Sequence, residues 1–172
     1  MTIQATKDTF YRMLQERIAA GNSGRTVVIR GTLRPGVLVS ENELPGAAID
    51  GIAPAEAFCL RWTGLAVEAA GALPLVRQTC EIRYASDGST GMFGIDRGRA
   101  LAAMDVELAT ALMTPPLTVA GFSPREAPGG GASAPQPTGG NVFWGDLAYK
   151  PAVMRGERME RTAEVEVYSY GN

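Results

Sequence analysis

The chain has 172 residues, 45% hydrophobic and 20% charged, with a formal net charge of −2. That is the size of one domain with a sizeable core, and it argues against a general nucleic-acid binder, which carries a basic face. There is no histidine, which excludes Ser-His-Asp and Cys-His catalysis within the chain and leaves Cys59 and Cys80 too poor a set for a zinc site.

The first segment, MTIQATKDTFYRMLQERIAAG, is charged and amphipathic. It lacks the apolar stretch of a secretory signal, and no apolar run reaches the roughly 18 residues of a membrane span, so a cytoplasmic chain with no membrane partner is expected. Within it, Phe10, Met13, Leu14, Arg17 and Ile18 recur at three- and four-residue spacing. This predicts a helix over Asp8–Ala20, capped by Thr6 or Thr9 and ended by Gly21-Asn22. Thr26–Ile29 is β-branched and predicts a short strand; Val37–Val39 suggests another, and Glu41–Gly46 a turn.

Ala57–Thr63 (AFCLRWT) and Leu75–Ala85 (LVRQTCEIRYA) are the clearest strands, with the Ala- and Gly-rich Leu65–Pro74 as their connection. Val76, Gln78, Cys80, Ile82 and Tyr84 fall on one face, and Arg77, Thr79, Glu81 and Arg83 on the other. Such alternation describes an antiparallel sheet with one covered and one wet side. Cys59 and Cys80 read as small buried hydrophobes; a disulfide would require their strands to pair. Asp87–Gly91 is a loop. Asp96 is the expected N-cap of a second helix, Arg97–Met113, with Leu101, Met104, Leu108 and Leu112 on its buried stripe and Thr114-Pro115-Pro116 as its stop.

Ser123–Gly140 (SPREAPGGGASAPQPTGG) is half Gly and Pro. Such a segment buries too little apolar surface to offset its ordering entropy, so a long flexible insert is expected there. Beyond it, Val142–Lys150 and Arg161–Tyr170 read as two strands, with Arg155–Arg158 in an exposed hairpin region. The helix–strands–helix–strands order predicts a single α+β domain: a mostly antiparallel sheet, two helices on one face, and a long Gly/Pro-rich loop before a C-terminal strand pair.

No phosphate-binding loop, dinucleotide fingerprint, CxxC or GxSxG is present, and no cofactor is expected. Carboxylates are the remaining catalytic candidates: Glu41 and Glu43 in the predicted turn, Asp87 and Asp96 flanking the glycine-rich loop. A pair held about 5–10 Å apart would suit glycosidase-type hydrolysis, although turn and cap roles account for Asp87 and Asp96. Asp105, at the margin of the second helix's stripe, is expected at the solvent boundary, with pairing to an arginine the alternative.

Arg77, Glu81 and Arg83 on the wet strand face, with Arg155 and Arg158 near the last hairpin, read either as a solvated surface or as a polar subunit interface in which opposite charges set register. Tyr168 and Tyr170 share the Glu164 and Glu166 face of the last strand and are candidate interface anchors.

The succession TFYRMLQERI, AFCLRWT with LVRQTCEIRYA, DRGRALAAMDVELATALM and AEVEVYSY resembles the tail-terminator, tail-completion and neck proteins of long-tailed phages and prophages. The resemblance covers nearly the whole chain and is one of topology. It implies a non-enzymatic virion protein forming a ring, commonly a homohexamer, that caps the tail tube and meets neighbouring tail or neck proteins. The alternatives are a small-molecule binding module, using a cleft between the sheet and the loops Glu41–Gly46 and Asp87–Gly91, and a carboxylate-based hydrolase.

Overall fold

The computed structural model describes residues 1–43, 54–69, 72–88, 95–124 and 134–171, with backbone only at 42 and 43. Among the described residues, two long helices, α1 (Ile3–Gly21) and α3 (Ile95–Met113), and the single turn α2 (Ser40–Glu43) accompany ten strands. β1 (Thr26–Ile29) and β2 (Thr32–Pro35) form a separate hairpin. Its two-residue turn places Arg30 and Gly31 at φ 50° and 79°, the left-handed geometry that matches the twist of a tight hairpin.

The main sheet runs β3-β4-β5-β10-β7-β6. Its strands are β3 (Val37–Val39), β4 (Phe58–Glu68), β5 (Leu75–Ser86), β6 (Thr118–Ser123), β7 (Gln136–Trp144) and β10 (Arg158–Tyr170). β8 (Ala148–Tyr149) and β9 (Val153–Arg155) line the rest of β10. All these pairings are antiparallel except β3 with β4. The fold is α+β, and both long helices bury their apolar stripes in one core on one face of the sheet.

Phe10, Met13, Leu14 and Ile18 of α1 and Leu101, Met104, Leu108 and Leu112 of α3 are buried as their spacing predicts. Phe10 lies edge-on between Trp62 of β4 and Trp144 of β7, 5.9 Å from each ring. Both ends of the sheet, β3 and β6, also pack on α1, so the sheet curls around that helix. The predicted alternation of β5 holds: its even-numbered residues from Val76 to Tyr84 are buried, and Arg77, Thr79, Glu81 and Arg83 are not.

Several expectations are corrected. α1 begins at Ile3, not Asp8, because Thr2 is the cap, its hydroxyl accepting from the Ala5 amide at 3.1 Å. Thr6 and Thr9 are buried inside the helix instead. Asp96 lies within the first turn of α3 rather than capping it. β4 continues through Glu68, past a bulge between Trp62 and Gly64, into the expected connection. A Cβ on Gly64 would stand 2.6 Å from the Thr79 hydroxyl oxygen, so the bulge position requires glycine's small size.

β2 and β6 arise where no periodicity announces a strand. Both ends of the segment expected as an insert, Ser123–Gly140, are strand: Ser123 closes β6 and Gln136–Gly140 opens β7, paired as Phe122 with Pro137 and Ser123 with Gln136. Residues 125–133 lie outside the described residues. The expected strand Val142–Lys150 is divided, since β7 ends at Trp144 and β8 is a separate two-residue strand. Cys59 and Cys80 are free and buried. They point to opposite faces, Cys59 into a small cluster with Leu38 and Ala57, and Cys80 into the main core. Pairing of β4 with β5 therefore does not bring the thiols together, and burial pushes the Cys80 thiol well above its usual range.

Candidate functional site

The outward face of β5 and β10 collects the predicted interface residues. Register sets Tyr168 opposite Arg77, Glu166 opposite Thr79, Glu164 opposite Glu81 and Thr162 opposite Arg83. Arg155 and Arg158 face each other across the two-residue loop joining β9 and β10, the predicted hairpin. Tyr168 is half-buried, whereas Tyr170 at the end of the strand is 52% exposed.

Each of the candidate charges has a partner within the chain. Arg77 stands 3.8 Å from both Glu68 and Glu166. Arg83 pairs with Glu81 at 3.2 Å, Arg155 with Glu160 at 2.8 Å and Arg158 with Asp87 at 2.6 Å. Glu81 and Glu164 would repel as directly opposed like charges. The Lys150 ammonium lies between them, 2.9 Å from Glu81 and 3.2 Å from Glu164. Its hydrogen bond holds the Glu81 carboxyl below its ordinary range, and the two carboxylates raise the Lys150 pKa. The Arg158 hydrogen bonds likewise lower Asp87 and raise Arg158. Lys150 was not legible as a site residue, because the glutamates it bridges lie far apart in sequence and meet only through register.

Of the carboxylate candidates, Glu41 and Asp87 stand at separate places on the sheet, and Asp96 lies in the first turn of α3. Glu41 accepts the Trp62 amide at 3.3 Å beside the end of β3. Asp87 sits at the far end of β5 against Arg158, near α3, whose Arg97 bonds the Asp87 carbonyl at 3.4 Å. The Glu43 side chain lies outside the described residues, as do residues 44–46 and 89–91 of the two loops expected to frame a ligand cleft. Among the described residues, no group of three or more His, Cys, Asp or Glu side chains is placed to hold a metal.

Two polar clusters on the helix side tie elements together. Asp105 of α3, expected at the solvent boundary, is paired: it accepts the Tyr84 hydroxyl at 2.5 Å and lies 2.9 Å from the Arg161 guanidinium. Burial and then this bond push the Tyr84 pKa far up, so the hydroxyl stays protonated as a donor. Arg25 reaches Glu107 of α3 at 2.8 Å and Glu56 at 2.6 Å. Burial disfavours the Arg25 charge, but these hydrogen bonds outweigh it and raise its pKa. Beside that pair, an open groove of about 760 Å³ runs between α1 and α3, lined by Ala20, Val106 and Thr110 among others. Arg17 at its rim is occupied by the carbonyls of Ala111, Thr114 and Pro116.

Large apolar side chains stand exposed on the two hairpins and on β4. Val28 and Leu33, opposite each other on β1 and β2, are 61% and 64% exposed. Val153 and Met154 of β9 are also exposed, as are Leu65 and Val67 of β4. The sequence signal for these is weak, since a β-branched run reads equally as a buried strand. Among the described residues, no helix is long and apolar enough to cross a membrane. A scan of protein-family models and a search of curated protein sequences found no match to this chain.

Proposed function

We propose that the chain is a structural subunit of the phage tail-terminator kind, self-associating into a ring at the end of a tail tube, where it meets neighbouring tail or neck proteins. The observation that carries the reading is the exposed Val28–Leu33 pair on the β1–β2 hairpin, whose other face packs through Val27 and Ile29 on Leu38, Ala57 and Cys59, with Val153 and Met154 exposed on a second hairpin. Apolar side chains exposed on hairpins suit contact with another protein better than capture of a small molecule, which favours a concave site. Two different patches on one chain are also what a head-to-tail ring requires. The order α1, sheet, α3 and closing strands supports the same reading by analogy of topology. Because the charges of the outer sheet face are paired within the chain, the apolar hairpins rather than Arg77 or Arg158 carry the expected contact energy.

The test is mass by light scattering across protein concentration and salt, alone and with tail-tube protein. A discrete hexamer, or reversible growth toward one, is expected, with Val28→Lys and Leu33→Lys shifting the equilibrium to smaller species at least ten-fold. A folded monomer under every condition sinks the reading. The α1–α3 groove favours a second reading, a small-molecule binding module. In that case a ligand raises the melting temperature of the wild type and of the hairpin variants alike.

A further inference from the structure

The edges of the main sheet are guarded by side chains at three places. On β3, the Gln15 amide of α1 donates to the Val37 carbonyl at 3.2 Å. On β6, the Thr9 hydroxyl of α1 accepts the Phe122 amide at 3.1 Å. Where β3 stops opposite Leu60, the Glu41 carboxylate accepts the next exposed amide, that of Trp62, at 3.3 Å. Beyond it, from Gly64 to Glu68, β4 has β5 on one side and, among the described residues, neither a strand nor a side-chain guard on the other. Unpaired strand backbone is a template for another strand, and proteins otherwise blunt or cover it.

We propose that this bare edge pairs with the same edge of a second copy, β4 against β4 in antiparallel orientation, across a two-fold axis at Ala66. The occupant follows from the segment's self-complementarity. In that register Leu65 faces Val67 of the other copy, and the reverse. These side chains are 56% and 57% exposed in the single chain and lie on one face, in register with Gln78 and Val76. Pairing would cover both twice over, in cross-strand contacts of the kind that stabilise sheets. Ala66, the smallest side chain after glycine, is the one that meets its own mate. Glu68 falls opposite Gly64, so no like charges oppose each other, and it points toward the end of β4 that carries Arg61. A one-residue slip would join the helix side of one copy to the charged side of the other, which the alternation opposes.

This contact is two-fold, whereas a ring is built head to tail, so it stands apart from the ring reading. The experiment uses the full chain with Ala66→Cys. The native thiols are both buried, which leaves the introduced one reactive. Opposed residues of an antiparallel pair have Cα atoms about 4.5–5.5 Å apart, within disulfide reach. Mild oxidation at micromolar concentration is expected to give a covalent dimer at least ten-fold faster than Ala102→Cys, an exposed position on α3. Val67→Lys in the Ala66→Cys background is expected to abolish that advantage while the chain still unfolds cooperatively. Cross-linking no faster than the Ala102→Cys control overturns the proposal, as does a rate unchanged by Val67→Lys. A hexamer without the cross-link removes this contact and leaves the ring; a cross-linked dimer that never exceeds two subunits keeps this contact and removes the ring.

Discussion

Lys150 shows how a single residue makes a charged strand face tolerable. Glu81 and Glu164 oppose each other on adjacent strands, and the ammonium between them turns repulsion into a bridge. The Glu81 pKa is lowered from its ordinary value of 4.5, first by the Lys150 hydrogen bond. Its contribution to stability is therefore complete above that pH and is lost as pH falls through the lower folded-state value. Lys150 is half exposed, so solvent screening keeps the contribution within roughly 1 kcal/mol. Glu81→Gln is expected to be slightly less stable than wild type near neutrality and to lose that deficit in acid. Urea midpoints at pH 7 and pH 3 measure it, and a deficit unchanged between the two would contradict the bridge. The Asp105 cluster illustrates another residue-scale lesson: a polar residue at the edge of an apolar stripe is a candidate for a buried partner, here Tyr84 and Arg161.

At the scale of elements, α1 does more than bury a stripe. Its polar side chains guard both ends of the sheet, Gln15 on β3 and Thr9 on β6. Thr9 donates to the Ala5 carbonyl of its own helix at 2.6 Å while accepting the Phe122 amide at 3.1 Å. Thr6 shares a 2.7 Å hydrogen bond with Ser169 of β10. Thr9→Val keeps shape and removes the acceptor, leaving the part-buried Phe122 amide without that partner. The expected cost is about 1–3 kcal/mol, read as a lower denaturant midpoint at unchanged slope, with faster amide exchange along β6. Unaltered exchange at Phe122 would mean that Thr9 does not guard that edge.

For the whole molecule, the curl of the sheet around α1 gives Phe10 a central position. It touches Trp62 toward one end of the sheet and Trp144 toward the other, and it is fully buried. Phe10→Ala is expected to cost about 3–5 kcal/mol, as large core truncations do. A calorimetric scan would show the melting temperature falling while the transition stays single. A loss under about 1 kcal/mol would show that α1 and the sheet ends are not held through this ring. The same curl leaves the far half of β4 beyond the helix's reach. The proposed contacts through that edge and through the hairpins thus belong to the scale of the whole molecule.

Much of the architecture was legible in the residues themselves. The alternation of β5 and β10 and the stripes of α1 and α3 record which side chains meet water and which meet the core, and that partition is local in sequence. The outward row of Arg77, Glu81, Arg83, Tyr168 and Tyr170 followed from it. The pairing of backbones was not legible, because ladder hydrogen bonds do not depend on side-chain identity. Gln136–Gly140, rich in Gly and Pro, is strand because β6 offers it partners, and the far half of β4 is strand because β5 does. Thr6 and Thr9, plausible caps by residue type, became buried links once Ser169 and Phe122 arrived beside them. Lys150 between Glu81 and Glu164, Arg161 against Asp105, and the bare stretch of the β4 edge among the described residues are likewise decided by which distant segments the tertiary fold brings into register.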